Sequence, residues 1–451
     1  MPLPAAAKPS ASHPEAAQSQ GVRARCTTPP PSTQQLWFFP PFSWQGSLCP
    51  GQQNGCVPAG MAGPCGGDGD GGGFGPRGGG GGSCWAGGCG DGVPEERRGQ
   101  RSMCLDGSPP VYHFSPGSGT GANNWVVHME GGGWCKTAEE CAVRKGNFRG
   151  SSKFMRALSF SGILGGNEKS NPDFYNWNRV KVRYCDGSSF TGDVETVDTA
   201  KNLHYRGFRI WRAIIDDLLA KGMNKAQNAI LSGCSAGGLA AMLHCDRFHD
   251  LLPATARVKC LSDAGFFVDG KDISGKNYVR SVYKGVIDLH GSAKNLPASC
   301  TSKQPPELCF FPQHVVPTLR TPVFLLNAAY DSWQIKNVLV PSAADPKKAW
   351  AQCKLDIKSC SSSQLETLQS FRTDFLAALP KPSPSLGMFI DSCFAHCQSG
   401  SQDTWLADGS PTVEKTQIGK AVGDWFFERN VSQKIDCPYP CNPTCKNRED
   451  D

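Results

Sequence analysis

One short stretch restricts the possible folds of this chain more than any other feature, namely residues 229–241, AILSGCSAGGLAA. An apolar, strand-like run ends in the pattern Gly-x-Ser-x-Gly, and small residues that suit a helix follow it. A strand, a sharp turn centred on a serine and a helix make up a nucleophile elbow, whose glycines let neighbouring backbone come close. We therefore predict that Ser235 is a nucleophile, with the backbone N–H of Ala236 beside its hydroxyl. The alternative is an ordinary tight turn, since the pattern also arises by chance in a chain with 52 glycines.

Strand-like and helix-like patterns alternate on both sides of this stretch. Apolar or alternating runs typical of strands cover 124–130, 178–184, 257–262, 322–327 and 386–391. Apolar stripes at helical spacing cover 203–221, 363–379, where Ser363 and Glu366 look like a capping box, and 413–428. Strands that alternate with helices predict an α/β fold of the hydrolase type, a mostly parallel sheet flanked by helices. The long irregular pieces at 264–320 and 332–361 would be loop insertions or lid elements.

A serine hydroxyl becomes a strong nucleophile only when a general base takes its proton and an acid orients that base. In α/β-hydrolases the acid and then the histidine follow the serine along the chain, each after a strand. Asp331 and His396 satisfy both the order and the position. Asp263 and Asp391 also end strands, so they are alternatives for the acid. The alternative for His396 is a histidine packed beside a neighbouring disulfide.

Three consecutive glycines follow the first strand-like run, upstream of the serine. Such a loop is typical of an oxyanion hole, where backbone N–H groups must approach a developing negative charge. The expected donors are the N–H groups of Ala236 and of Gly132 or Gly133, and the alternative is a bulge or loop without chemistry. Cys135 and Cys141 are close enough in sequence for a local disulfide that would stiffen this loop.

The 22 cysteines indicate an oxidising compartment, and a sequon at Asn430 agrees weakly with secretion. Residues 1–20 contain no apolar core of a signal peptide, and no run of about 18 apolar residues predicts a membrane span. The formal charge of +6 is spread along the chain, which suits a polyanionic partner but gives no argument for nucleic acid. No metal is expected, because the pattern Cys393-x-x-His-Cys lacks a second ligand pair with zinc spacing and disulfides explain its sulfurs better.

Composition divides the chain into three parts. Residues 1–98 are rich in Pro and Gly and are predicted to be disordered, because they cannot bury enough apolar surface to offset the entropy of ordering. Residues 99–436 would form the hydrolase-like domain. Residues 437–451 would form a cysteine-rich tail.

Six segments, in this order along about three-quarters of the chain, resemble the plant pectin acetylesterase family, which is related to the animal carboxylesterase Notum. They are Cys104-Leu-Asp-Gly-Ser-Pro-Pro, 124–135 with its Glu-Gly-Gly-Gly-Trp-Cys ending, Tyr184-Cys-Asp-Gly, Gly233-Cys-Ser-Ala-Gly-Gly, Ala329-Tyr-Asp-Ser-Trp-Gln and Asp391-Ser-Cys-Phe-Ala-His-Cys-Gln. The resemblance implies an α/β-hydrolase fold, no cofactor, and hydrolysis of acetyl esters on galacturonan in the cell wall. It also implies the roles already given to Ser235, Asp331 and His396. The first hundred residues depart from the family, which has a signal peptide and a short lead-in there.

The expected reaction is attack of Ser235 on an acetyl ester of pectin, an acetyl-serine intermediate, and its hydrolysis. Trp134 and Trp333 are candidates for the walls of a small acyl pocket. We expect acetylated pectin as the partner, a secreted, cell-wall location and a monomer. The alternatives are another carboxylester hydrolase, acting on a xylan or lipid-type acyl ester, and a non-catalytic protein that binds cell-wall polysaccharide.

Overall fold

A nine-stranded sheet forms the centre of the computed structural model, which describes residues 102–430 and 432–448 and the backbone of 35–38. Its strands are β1 (Gln35–Phe38), β2 (Val111–Ser115), β3 (Asn124–Met129), β4 (Asn178–Val182), β5 (Asn228–Cys234), β6 (Arg257–Asp263), β7 (Val323–Ala328), β8 (Leu386–Asp391) and β11 (Gln433–Ile435). They lie in the order β1-β2-β4-β3-β5-β6-β7-β8-β11. The strands from β4 to β11 in this order pair in parallel, whereas β1 and β2 are antiparallel at one edge. Strands β9 (Thr412–Val413) and β10 (Thr416–Gln417) form a separate hairpin.

Helices cover both faces of this sheet. The α-helices are Ala138–Arg144, Gly207–Ala220, Ala236–Leu243, Cys245–His249, Tyr278–His290, Ala298–Thr301, Pro312–Val315, Ser332–Gln334, Ser362–Ala378, Gln402–Trp405 and Ile418–Phe426, and a π-helix spans Ile335–Leu339. Alternate residues of the strands enter two apolar clusters, as with Leu231 in one and Ile230 in the other. Burial on both faces is typical of parallel sheets and explains why the strands read as continuous apolar runs. The predicted α/β-hydrolase-like fold is confirmed.

Several local predictions need correction. The capping box lies at Ser361 and Gln364, not at Ser363 and Glu366, so the helix starts earlier than expected. The last predicted helix begins only at Ile418, because the hairpin β9–β10 occupies its first residues. The insertion 264–320 contains the helix Tyr278–His290, which was not predicted.

Residues 1–98, which were expected to be disordered, lie outside the described residues, apart from the backbone of β1.

Eight disulfides join all sixteen cysteines of the described part of the chain. They include Cys135–Cys141, as expected, and Cys393–Cys445, which ties the C-terminal segment to the loop after β8. Within the described ranges, no helix has the length and apolar character needed to cross a bilayer.

Candidate active site

Ser235 stands at the turn between β5 and the helix Ala236–Leu243, as the sequence predicts. Its backbone has φ 58° and ψ −125°, a conformation that a non-glycine residue adopts only when its surroundings enforce it. Two features enforce it here. The N–H of Ser235 donates to the carbonyl of Asp263 at 2.8 Å, and a Cβ at Gly237 would overlap the carbonyl oxygen of Met129. The turn therefore has the geometry of a nucleophile elbow.

His396 and Asp331 are in direct contact. Nδ1 of His396 lies 2.8 Å from Oδ2 of Asp331, and both side chains are buried. The other carboxylate oxygen of Asp331, Oδ1, accepts the backbone N–H of Gln334 at 2.8 Å, which fixes the plane of the carboxylate. Since the carboxylate oxygen accepts, Nδ1 of the imidazole carries the proton, and Nε2 is left as the basic nitrogen.

A disulfide joins the serine turn to the histidine loop. Cys234 precedes Ser235 and Cys397 follows His396, and the Cα atoms of the two cysteines are 5.7 Å apart. The loops at the ends of β5 and β8 are therefore in contact, although 163 residues separate the two cysteines in the sequence. The structure places His396 and Asp331 in contact, and the disulfide places the loop of His396 beside the turn of Ser235.

The alternative acids contact the same loop at other points. The carboxylate of Asp263 accepts the backbone N–H groups of Gln398 and Ser399, at distances of 2.9 and 2.6 Å. Asp391 accepts the side-chain amide of Gln398 at 2.8 Å. Burial raises the pKa of Asp263 to about 6 and that of Asp391 to about 7. Neither is bonded to the imidazole in the part of the chain that the structure describes, so the geometry favours Asp331 as its partner.

His128, His244 and His290, like His113, are buried and belong to the packing of the fold. Burial lowers the pKa of His128 and of His244 to about 3 and that of His290 to about 4. His244 stacks on Trp211, with ring centroids 4.5 Å apart. These imidazoles stay neutral at ordinary pH and have no carboxylate partner among the described residues.

The glycine loop after β3 lies against the serine turn. A Cβ at Gly131 would overlap the carbonyl of Cys234 and lie 2.8 Å from Cβ of Ser235, so only glycine allows this approach. Gly132 and Gly133 have φ of 145° and 66°. No acceptor among the described residues receives the backbone N–H of Gly132, Gly133 or Ala236. These are the three N–H groups that the sequence predicts as oxyanion donors.

Two residues that sequence reasoning did not single out hold this loop. Tyr184 donates its hydroxyl to the carbonyl of Gly133 at 2.8 Å. Ser189 accepts Nε1–H of Trp134 at 2.8 Å and donates its hydroxyl to the carbonyl of Ala236 at 2.7 Å, so it joins the glycine loop to the helix after Ser235. The only signal in the sequence was the loop after β4, which ends at the same edge of the sheet.

Trp134 and Trp333, the predicted pocket walls, pack against each other and against the candidate base. Their ring centroids are 5.5 Å apart, and Trp333 stacks on His396 at 6.2 Å. Further rings surround Trp134 edge to face, with centroids at 5.0 Å for Phe267, 5.1 Å for Tyr283 and 6.2 Å for Phe310. We call Trp134, Phe267, Tyr283, Phe310 and Trp333 the aromatic cluster.

Within the ranges that the structure describes, three groups of side chains have atoms close enough to bind one metal ion. They are Cys135 with Cys141 and His290, Cys234 with Asp263 and Cys397, and Asp436 with Cys437 and Cys441. Both sulfurs of each group are joined in a disulfide, so they cannot act as the thiolates that metal binding requires. These groups are better explained as disulfides with polar neighbours.

A comparison with family models matches residues 95–446 to the family described as pectinacetylesterase. The chain belongs to this family. It is 63% identical to pectin acetylesterase 7 of Arabidopsis thaliana and 62% identical to pectin acetylesterase 11 of the same plant, each over 348 residues that cover 76% of this chain and 89% of the relative. It is also 26% identical to palmitoleoyl-protein carboxylesterase notum2 of Xenopus laevis, over 76% of this chain and 71% of that protein. Membership of this family supports a hydrolase that acts on acetyl esters.

Proposed function

We propose that this protein is a serine esterase that removes acetyl groups from pectin, with Ser235 as nucleophile, His396 as general base and Asp331 as the acid that orients it. The observation that carries the proposal is the 2.8 Å contact between His396 and Asp331, on a loop joined by a disulfide to the turn of Ser235. The family and the names of its plant relatives support acetylated pectin as the substrate.

The proposed mechanism has two halves. Nε2 of His396 takes the proton of the Ser235 hydroxyl as its oxygen attacks the acetyl carbonyl, and the N–H groups of Ala236 and of Gly132 or Gly133 stabilise the oxyanion. The protonated imidazole then gives its proton to the departing sugar oxygen, which leaves an acetyl-Ser235 intermediate. Water that has lost a proton to His396 attacks this intermediate and releases acetate and the original serine. Asp331 stabilises the imidazolium in both halves.

The aromatic cluster supports a small acyl group over a long one. Its other four rings pack edge to face around Trp134, and the cluster reaches His396 through Trp333 and Phe267. Phe267, Tyr283 and Phe310 are at most 1% exposed, so the space behind Trp134 is filled by side chains. A long acyl chain would need that space, whereas an acetyl group would not.

The net charge of +6 suits a polyuronate substrate, and the eight disulfides suit a secreted protein of the cell wall. We include this location in the proposal.

The test is acetate release from acetylated pectin by the full chain, produced in an oxidising compartment, beside Ser235→Ala. We expect release by the parent and a loss on the order of 10³-fold or more in the variant, since only binding and the oxyanion hole would remain. Ser363→Ala is a matched control, because this serine is exposed and lies in the first turn of the helix Ser362–Ala378.

The same experiment separates the alternatives. Cleavage of p-nitrophenyl acetate without release from pectin would contradict pectin as the substrate and leave a serine esterase. Faster cleavage of an octanoyl than an acetyl ester would favour a lipid-type hydrolase. Binding to pectin without turnover of any ester would favour a non-catalytic polysaccharide-binding protein, and equal rates in parent and Ser235→Ala would refute the assignment of the nucleophile.

A further inference from the structure

Asp263, the last residue of β6, is bonded to both loops that carry the reacting groups. In the sheet it pairs with Cys234, the residue before Ser235. Its backbone carbonyl accepts the N–H of Ser235 at 2.8 Å. Its side chain is bonded to the loop after His396. One residue therefore contacts the serine turn through its main chain and the histidine loop through its carboxylate.

The bonds to the histidine loop are short and fully buried. Oδ2 of Asp263 accepts the N–H and the hydroxyl of Ser399, both at 2.6 Å, and the N–H of Gln398 at 2.9 Å. The residue itself is 0% exposed. A buried backbone N–H that loses its acceptor destabilises the fold, so this carboxylate strongly favours the observed position of the loop.

The carboxylate of Asp263 is bonded to these three donors and lies near the imidazole. No Lys or Arg of the described chain forms an ion pair with it. Burial raises its pKa to about 6, whereas the bonds from Ser399 and Gln398 and the nearby His396 act in the opposite direction. Attraction between this carboxylate and His396 is reciprocal, so an ionised Asp263 also stabilises the imidazolium that forms during the reaction.

We propose that Asp263 is a positioning residue, which holds His396 against the turn of Ser235 and, together with the disulfide Cys234–Cys397, fixes the distance between base and nucleophile. The inference rests on the proposed function only in that Ser235 and His396 must react together. It does not depend on which ester is the substrate.

Asp263→Asn is the principal variant. The amide has the same shape as the carboxylate, but it lacks the charge and presents an NH₂ group to donors that already point at this site. We expect kcat for p-nitrophenyl acetate to fall about 10- to 100-fold with KM within about twofold of the parent, since base and nucleophile are misplaced while the ester still binds. Asp345→Asn is the matched control, because Asp345 is a buried carboxylate that accepts backbone N–H groups of Ala349 and Trp350.

A merely structural role would reduce the number of folded molecules and not the rate of each. Active sites are therefore counted by stoichiometric labelling with a fluorophosphonate, and kcat is expressed per labelled site. Ser399→Ala, which removes one of the three donors and keeps the carboxylate, is the second variant if Asp263→Asn does not fold. We expect from it a smaller fall in kcat per site, about 3- to 10-fold.

The outcomes are distinct. A lower kcat per labelled site with an unchanged KM supports the inference. An unchanged kcat per labelled site, a change in KM alone, or an equal fall in Asp345→Asn overturns it. A parent enzyme that cleaves p-nitrophenyl acetate but not acetylated pectin would overturn the proposed substrate and leave this test intact.

Discussion

Replacement of Asp331 by asparagine should abolish most activity through the proton position on His396, with little change in shape. In the parent, Oδ1 of Asp331 accepts the N–H of Gln334 and Oδ2 accepts Nδ1–H of His396, each at 2.8 Å. The single amide oxygen of the variant would stay on the backbone N–H of Gln334, because a buried N–H needs an acceptor. Its NH₂ group would then point at Nδ1, which would have to accept. The proton would move to Nε2, the nitrogen that must take the proton of Ser235.

The expected loss in kcat is on the order of 10⁴-fold, about 5 kcal/mol in the activation free energy, as is typical when an orienting carboxylate becomes an amide that favours the wrong tautomer. The assay is hydrolysis of p-nitrophenyl acetate between pH 6 and 9, with folding checked by near-UV circular dichroism. Asp345→Asn again serves as control. A variant that keeps more than about a tenth of the parent kcat would refute the reasoning, and a larger loss in Asp391→Asn or Asp263→Asn would move the acid to that residue.

Two further predictions concern acyl length and pH. Trp333→Ala should raise the ratio of kcat/KM for butyrate esters to kcat/KM for acetate esters by about 10-fold, because the ring beside His396 is lost. Trp333→Phe should keep a ratio near that of the parent. Equal ratios in the parent and both variants would contradict a role of Trp333 in acyl selection. Burial raises the pKa of Asp391 to about 7, above the roughly 3.9 of an unfolded aspartate, so the stability that its neutral form contributes is complete below pH of about 4 and is lost as pH rises through about 7. The buried neutral histidines act in the opposite direction, so the test compares parent with Asp391→Asn at each pH. The urea midpoint of the parent relative to that of the variant should be higher at pH 5 than at pH 8, and a difference that does not change with pH would exclude this role of Asp391.

The prediction from sequence was most accurate where a recognisable strand pattern is followed directly by a reactive side chain. Strand β3 and strands β5 to β8 are buried on both faces and so appear as apolar runs, and the residues predicted as nucleophile, acid and base follow three of them. Strand β4 alternates buried and half-buried residues and was found by that alternation. The structure brings His396 and Asp331 together, while their roles remain predictions. Strands β2 and β11 are short and were missed. Strand β2 lies beside the edge strand β1, and strand β11 contains only partly buried or exposed residues. The helix Tyr278–His290 could have been found, since its buried residues recur every three or four positions.

The supports of the site could not be predicted, because they depend on which loops meet. Nothing in the local sequence of Ser189 shows that its hydroxyl would bridge Trp134 and Ala236, since those residues lie 55 and 47 positions away. Tyr184 likewise reaches Gly133 across 51 residues. Such contacts follow from the sheet order, in which β4 lies beside β3 and β3 beside β5. A pattern search within one segment contains no information about that order.

The histidine loop shows how an irregular segment can hold a base as firmly as a helix would. Residues 393–399 have no regular structure, so their conformation has to come from bonds to rigid neighbours. Three buried carboxylates at the ends of adjacent strands provide them: Asp391 accepts the N–H of residue 393, Asp331 accepts the imidazole, and Asp263 accepts the N–H groups of residues 398 and 399. Of these hydrogen bonds, that of Asp331 is the one made to the side chain of His396. The bonds of Asp391 and Asp263 restrict the backbone on the two sides of His396. Loss of Asp263 should therefore cost less activity than loss of Asp331, because it frees the base to move without changing which nitrogen carries the proton.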